Sequence, residues 1–218
     1  MRPVDKGKSP YKSIKDYHDA EPYLTEKIGA YCSYCEFPIS HVPEVEHKES
    51  KNSGGALTDW NNLLLACKYC NTRKKEYVKK GETNECIWPD MHNTFMAYTY
   101  EDGMPKVNKA YLEVIGNDTL QKAQNLYDAV KLGNIPTAGQ KDRRLLKRRE
   151  ALNLAIIAFN NWKDAKNSCL EDAFVDSIVE QAKAIGFFSV WMMIFKDIPK
   201  IREALVKGFA GTKKEYFD

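Results

Sequence analysis

No stretch of this 218-residue chain is apolar for long enough to cross a bilayer. The longest apolar run, Phe187 to Phe195, spans nine residues and includes Ser189, whereas a membrane helix needs roughly 18 or more. That run reads as a buried helix. The first twenty residues are polar and charged, without the apolar segment of a secretory signal. Together these absences predict a soluble, cytoplasmic protein. Repeats and low-complexity tracts are missing too. So is any large excess of one charge: 33 basic and 30 acidic side chains leave a net +3. Global charge therefore announces no nucleic-acid partner, and local clusters must carry that argument. The 43% hydrophobic and 29% charged content is that of a folded chain rather than a disordered one.

Cysteine is present in an informative pattern. Four of the six cysteines form two pairs, Cys32-Ser-Tyr-Cys35 and Cys67-Lys-Tyr-Cys70. In a reducing compartment such pairs point to metal binding rather than disulfides. Zinc is borderline soft and tetrahedral, so two such turns can present four thiolates to one ion. Four thiolates also close its coordination sphere, which makes the zinc a structural brace. Cys86 and Cys169 stand alone and read as small or idle thiols. Between the two pairs lie 31 residues, 36–66. Simple zinc ribbons hold fewer, so something is inserted, and the insert contains Glu46-His47 and Asn62.

Phosphodiester hydrolysis needs an activated water and a cation to offset charge on the phosphate and the leaving oxygen. A neutral imidazole, His47, suits the first task near neutral pH. Hard oxygen ligands for Mg²⁺ or Mn²⁺ suit the second, and Glu46 and the Asn71 side-chain oxygen are candidates. Asn62 can fix the His47 ring, or the loop around it, by hydrogen bonding. Asn71 directly follows the last zinc cysteine, so the zinc would pre-organise the helix that presents it.

At these residues the chain resembles the HNH, or ββα-metal, endonuclease family. The matching elements are Cys32-Ser-Tyr-Cys35-Glu36, Val45-Glu46-His47, Asp59-Trp60-Asn61-Asn62-Leu63-Leu64-Leu65-Ala66-Cys67 and Cys70-Asn71-Thr72-Arg73-Lys74. The resemblance implies two strands and a helix, and a one-metal mechanism. Carried over, His47 is the general base, Glu46 and Asn71 hold the catalytic Mg²⁺ or Mn²⁺, Asn62 is the orienting middle residue, and Cys32, Cys35, Cys67 and Cys70 hold structural Zn²⁺. Many members have Asp in place of Glu46, and many have His in place of Asn71. Further segments, Trp88-Pro89-Asp90 with His92-Asn93-Thr94-Phe95 and Asp142-Arg143-Arg144 with Arg148-Arg149, are similar to the HNH nuclease subunit of Septu-type and retron-associated anti-phage defence systems. That similarity implies an ABC/SMC-like ATPase partner. DNA is the favoured substrate, with RNA open because the active-site chemistry does not read the sugar.

Two basic clusters invite nucleic acid. Lys68, Arg73, Lys74, Lys75, Lys79 and Lys80 lie beside the expected site, and Arg73, Lys74 and Lys75 are the candidate phosphate contacts. Lys141, Arg143, Arg144, Lys147, Arg148 and Arg149 put six basic residues in nine positions. Nucleic-acid binding, a partner surface and a solvated face all fit that second cluster, and Asp142 with Arg143 reads as a possible ion pair. His41 and His92 are secondary candidates, more naturally a loop residue and a structural one.

The expected architecture is α+β. Residues 1–30 form an N-terminal arm or short helix carrying Tyr11, Tyr17 and Tyr23. Residues 31–115 form the zinc-braced nuclease module. It has an extended Val42–Glu46 segment, a loop over 48–59, a strand at Leu63–Ala66, a basic helix over 67–80, and a hairpin from Phe95 to Asn108 turning at Asp102-Gly103. Residues 116–218 form a helical, partner-binding region. Apolar periodicity predicts helices over 119–132, from Leu145 to beyond Trp162, over 174–185 up to Gly186, and from about Pro199 to Lys207. The rival readings are a non-enzymatic zinc module that binds nucleic acid or protein, and a stand-alone restriction-type nuclease.

Overall fold

Two short strands and one helix carry the motif residues. Strand β1 (Glu44–His47) pairs antiparallel with β2 (Leu63–Ala66), His47 opposite Leu63 and Glu44 opposite Ala66. Every residue of β2 is buried, as expected of an apolar run packed on both faces. Ahead of them, the 3-10 turn Tyr17–Ala20 leads into α1 (Glu21–Ile28), which packs on β2. Helix α2 (Lys68–Lys74) follows β2 directly, with Cys67 at its N-cap. This is a computed structural model, and it describes residues 1–10, 14–116 and 118–217. Tyr11, one of the expected N-terminal aromatics, lies outside them.

The helix expected over 67–80 ends early. Lys74 turns inward, Lys75 takes a φ of 42°, and the helix stops there. The chain then doubles back so that Val78 O accepts a hydrogen bond from Ser50 N at 2.8 Å. This closes the 48–59 loop from outside.

Beyond α3 (Thr94–Ala97), the hairpin forms from β3 (Tyr98–Glu101) and β4 (Met104–Val107). Its turn residues Asp102 and Gly103 have φ of 48° and 72°, the doubly positive pattern that two-residue hairpins favour. Helices α4 (Lys109–Ile115) and α5 (Thr119–Ala129) come next. Leu120, Ala123, Leu126, Val130 and Leu132 pack in the same core as β2 and α1, although they lie on the helical side of the expected boundary near 115. A second core is built by α6 (Arg144–Ala165), α7 (Glu171–Ile185), α8 (Phe188–Ile194) and α9 (Pro199–Gly208). Helix α8 is the expected apolar run, with Phe188 through Met192 buried. None of the described helices is long and apolar enough to cross a membrane.

The first residues are tied to both cores. The Met1 amino group donates to Tyr100 Oη at 2.8 Å and Ser189 Oγ at 2.9 Å. The Arg2 guanidinium donates to the Ile28 and Ala210 carbonyls.

Candidate active site

The four paired cysteines converge. Cys32 and Cys35 sit on a tight turn, closed by Glu36 N donating to Cys32 O at 2.9 Å, and Cys67 and Cys70 open α2. All four sulfurs are buried and lie within 4.8 Å of one another. A tetrahedral zinc with ~2.3 Å bonds separates its sulfurs by about 3.8 Å, and Cys35 and Cys67 Sγ are 3.6 Å apart. The cluster is thus consistent with structural zinc. Arg144 of α6 supplies a counter-charge, its Nη1 donating to Cys70 Sγ at 3.3 Å. Asp142 holds that guanidinium through Nε and Nη2, and the Val130 and Lys131 carbonyls accept from it as well. Burial opposes the Arg144 charge, but Cys70 and Asp142 outweigh it and hold the group protonated.

One cleft of about 600 Å³ gathers Glu46, His47 and Asn71, together with Tyr17, Lys51 and Lys75. His47 Nε2 lies 2.9 Å from Leu57 O. A carbonyl only accepts, so Nε2 carries the proton and Nδ1 keeps its lone pair. Burial holds the His47 pKa below the usual 6.5, so the ring is neutral at pH 7. The Tyr17 ring meets it edge-on, with centroids 4.8 Å apart, and Lys51 Nζ donates to Tyr17 Oη at 2.7 Å.

Asn62 is outside the cleft wall and acts on the loop. Its Oδ1 accepts from Glu49 N at 2.8 Å, and its Nδ2 donates to Ala56 O at 2.8 Å and Glu49 O at 3.1 Å. The loop that presents Leu57 O to His47 is therefore pinned at both ends. Gly55 makes that path possible, since a Cβ there would stand 2.2 Å from Glu49 O.

Residues 32–76, the cysteine pairs and everything between β1 and the end of α2, match the family model described as HNH endonuclease. Over that segment the chain is similar to HNH endonucleases. Endonucleases of that kind are phosphodiester hydrolases, so the match implies an enzyme with a nucleic-acid substrate and a divalent metal. No curated protein and no solved structure matches the chain.

Within the HNH module, Glu46 has neighbours that sequence reasoning missed. It is buried, its Oε1 lies 2.8 Å from Lys74 Nζ as an ion pair off hydrogen-bond angle, and its Oε2 accepts from Tyr34 Oη. Burial raises the Glu46 pKa, with Lys74 opposing. Lys74 is consequently turned away from solvent, unlike Arg73 and Lys75, which are exposed. As a phosphate contact Lys74 is the poorest of the three. Asn71 Nδ2 donates to Glu44 Oε2 at 2.7 Å, which leaves Oδ1 as its oxygen donor. Glu44 was missed as well. It sits two residues before Glu46 on β1, a spacing that places both side chains on one strand face.

The other candidates scatter. His41 is exposed and away from the cleft. His92 Nδ1 accepts from Trp88 N at 2.9 Å, a structural turn. Asp90 is buried between Lys6 Nζ at 3.0 Å and Lys48 Nζ at 2.9 Å, so the residue after His47 is anchored there. The 141–149 cluster is not one basic face. Arg144 is spent on Cys70 and Asp142, so the expected Asp142 pair is with Arg144 and not Arg143. Arg148 is buried beside the Tyr100 and Phe187 rings, 5.8 and 5.4 Å from their centroids. Arg149 pairs with Asp102 and Lys147 with Glu150. Lys141 and Arg143 stay exposed.

Proposed function

We propose that the enzyme hydrolyses phosphodiester bonds in DNA, with His47 as general base, Glu46 and Asn71 as ligands of Mg²⁺ or Mn²⁺, and Asn62 as the residue that holds the His47 loop. The observation that carries this reading is the Leu57 carbonyl on His47 Nε2. It fixes the tautomer whose Nδ1 can take a proton from water, in a ring that burial keeps neutral. The donor set fits a hard divalent ion: Glu46, the Asn71 Oδ1 and the neighbouring Glu44 are all oxygen ligands. A bound ion supplies charge neutralisation at the phosphate and the leaving oxygen. Glu46 would hold the ion in place of its pairing with Lys74, and the exposed Arg73 and Lys75 would hold flanking phosphates.

His47→Ala should lower turnover by at least ~10² while circular dichroism and zinc content stay unchanged. Undiminished cleavage by that variant would remove His47 as the base.

The finer reading follows the resemblance of Trp88–Phe95 and Asp142–Arg149 to Septu-type nuclease subunits: this enzyme is the nuclease effector of an anti-phage complex with an ABC/SMC-like ATPase. Helix α6 supports a partner, because Leu146, Ile156 and Ile157 are 52%, 41% and 55% exposed, unusual for a helix whose opposite face is core. Co-purification with the ATPase, lost in Ile157→Asp, tests it. Full activity and no association would favour a stand-alone nuclease.

A further inference from the structure

A second cavity, of about 310 Å³, opens at the N-terminal end of α2. Phe37, Pro38, Val42 and Tyr69 give it apolar and aromatic walls, and Lys68, Lys141 and Arg143 stand among its lining residues, which include no carboxylate. Val42 is 60% exposed there. Among the described residues, neither Lys141 nor Arg143 has an ion-pair partner.

This groove adjoins the cleft. Lys68 Nζ lies 3.1 Å from Glu44 Oε1, and Asn71 Nδ2 donates to the other oxygen of the same carboxylate. Lys68 and Asn71 are three residues apart on one helix, an axial rise of about 4.5 Å. A nucleic-acid strand lying in the cleft would therefore pass the groove within a nucleotide or two.

We propose that the groove receives an unpaired base of the substrate strand, with adjacent phosphates on Lys141 and Arg143. The enzyme would then prefer single-stranded or locally unpaired nucleic acid to a continuous duplex. The physical case is complementarity. A paired duplex hides its base faces and offers only phosphates, which would leave apolar walls idle. An unpaired base offers a ring face that stacks on aromatic and apolar side chains whatever its sequence. The cations and the lack of any lining carboxylate favour a polyanion. This proposal rests on the nuclease reading of the cleft.

The test uses the full zinc-loaded chain carrying His47→Ala, which binds without cutting. Fluorescence anisotropy compares three labelled probes: a single strand, a duplex with one unpaired base, and a continuous duplex. The expected result is about tenfold or tighter binding of the first two. Adding Val42→Asp, or Lys141→Glu with Arg143→Glu, should erase that difference and leave duplex binding by the cleft in place. Both changes are on exposed residues, and thermal melting reports whether the fold survives. Equal affinity for all three probes, or a preference that outlasts both changes, overturns the groove. If an acidic, apolar peptide binds there instead and the same changes abolish it, the groove is a protein site and the proposal fails. Separately, cleavage assays on the otherwise wild-type chain with Mn²⁺ distinguish the two levels. Efficient cutting of duplex, indifferent to the groove changes, overturns the groove alone. No cutting of any probe, by the chain alone or with the ATPase present, overturns the nuclease reading with it.

Discussion

Lys74 Nζ lies 2.8 Å from Glu46 Oε1, both side chains essentially without solvent exposure. The pairing follows from two periodicities. Glu44 and Glu46 share a face of β1, Asn71 and Lys74 share a face of α2, and the two faces meet as Glu44 with Asn71 and Glu46 with Lys74. The carboxylate assigned to the metal thus carries its own resident cation.

That arrangement predicts a metal-dependent rescue. Lys74→Met leaves Glu46 buried without a counter-charge, a loss of ~3–5 kcal/mol for a broken buried pair. Mn²⁺ should raise the Tm of this variant more than that of the unaltered protein, because the ion takes the place of the lost ammonium. Equal shifts in both would mean that Glu46 does not hold the ion.

Arg144 should control zinc retention. Its Nη1 donates to Cys70 Sγ and its other nitrogens to Asp142. Arg144→Met removes a charge-assisted bond worth about 1.5–3 kcal/mol and strands a buried carboxylate. Zinc should pass to a colorimetric chelator faster than from the unaltered protein, and the Tm should fall. An unchanged transfer rate would make Arg144 a packing residue only. Complete removal of zinc should unfold the module, visible as lost Trp60 and Trp88 fluorescence changes on melting.

Asn62 should matter through the loop rather than through substrate. Asn62→Ala strips three hydrogen bonds from Glu49 and Ala56, each stranded group costing about 1–3 kcal/mol. The expected outcome is a kcat lowered tenfold or more with KM little changed. Asn62→Asp keeps the acceptor for Glu49 N but loses both donors, and should be nearly as poor. Steady-state kinetics on the three proteins decides it.

Acid should weaken the fold through His92. Burial holds its pKa below 6.5, and its neutral Nδ1 accepts from Trp88 N. The unfolded chain therefore takes the proton first. Stability from this group is full above pH 6.5 and is lost as pH falls through the lower folded value. Urea midpoints between pH 7.5 and pH 5, approximately the useful range for histidine, should slope less in His92→Asn, whose side chain cannot take the proton. Parallel slopes would assign the acid sensitivity elsewhere.

Much of the site could be read from residue types at their spacing. Glu46, His47 and Asn71 stand out in the sequence by their chemistry, and they line one cleft. The Asp102-Gly103 turn and the helix stop at Gly186 were legible because each needs a backbone geometry that few residues supply. The partners were not legible. Nothing local to Lys74 distinguishes it from Arg73 and Lys75, yet only Lys74 faces inward. Nor does the run from Lys141 to Arg149 reveal that Arg144 and Arg148 are buried, because their partners lie at Cys70 and Tyr100.

The sequence by itself determined the chemistry available here: four thiolates at zinc spacing, an acidic-His pair, and the amides on either side of it. Those depend on short-range order along the chain. Tertiary structure alone decided which charges are counter-ions and which remain for a ligand. A buried charge is stable only beside an opposite one, and folding brings those partners from Glu46 to Lys74, from Cys70 to Arg144, and from Lys6 and Lys48 to Asp90.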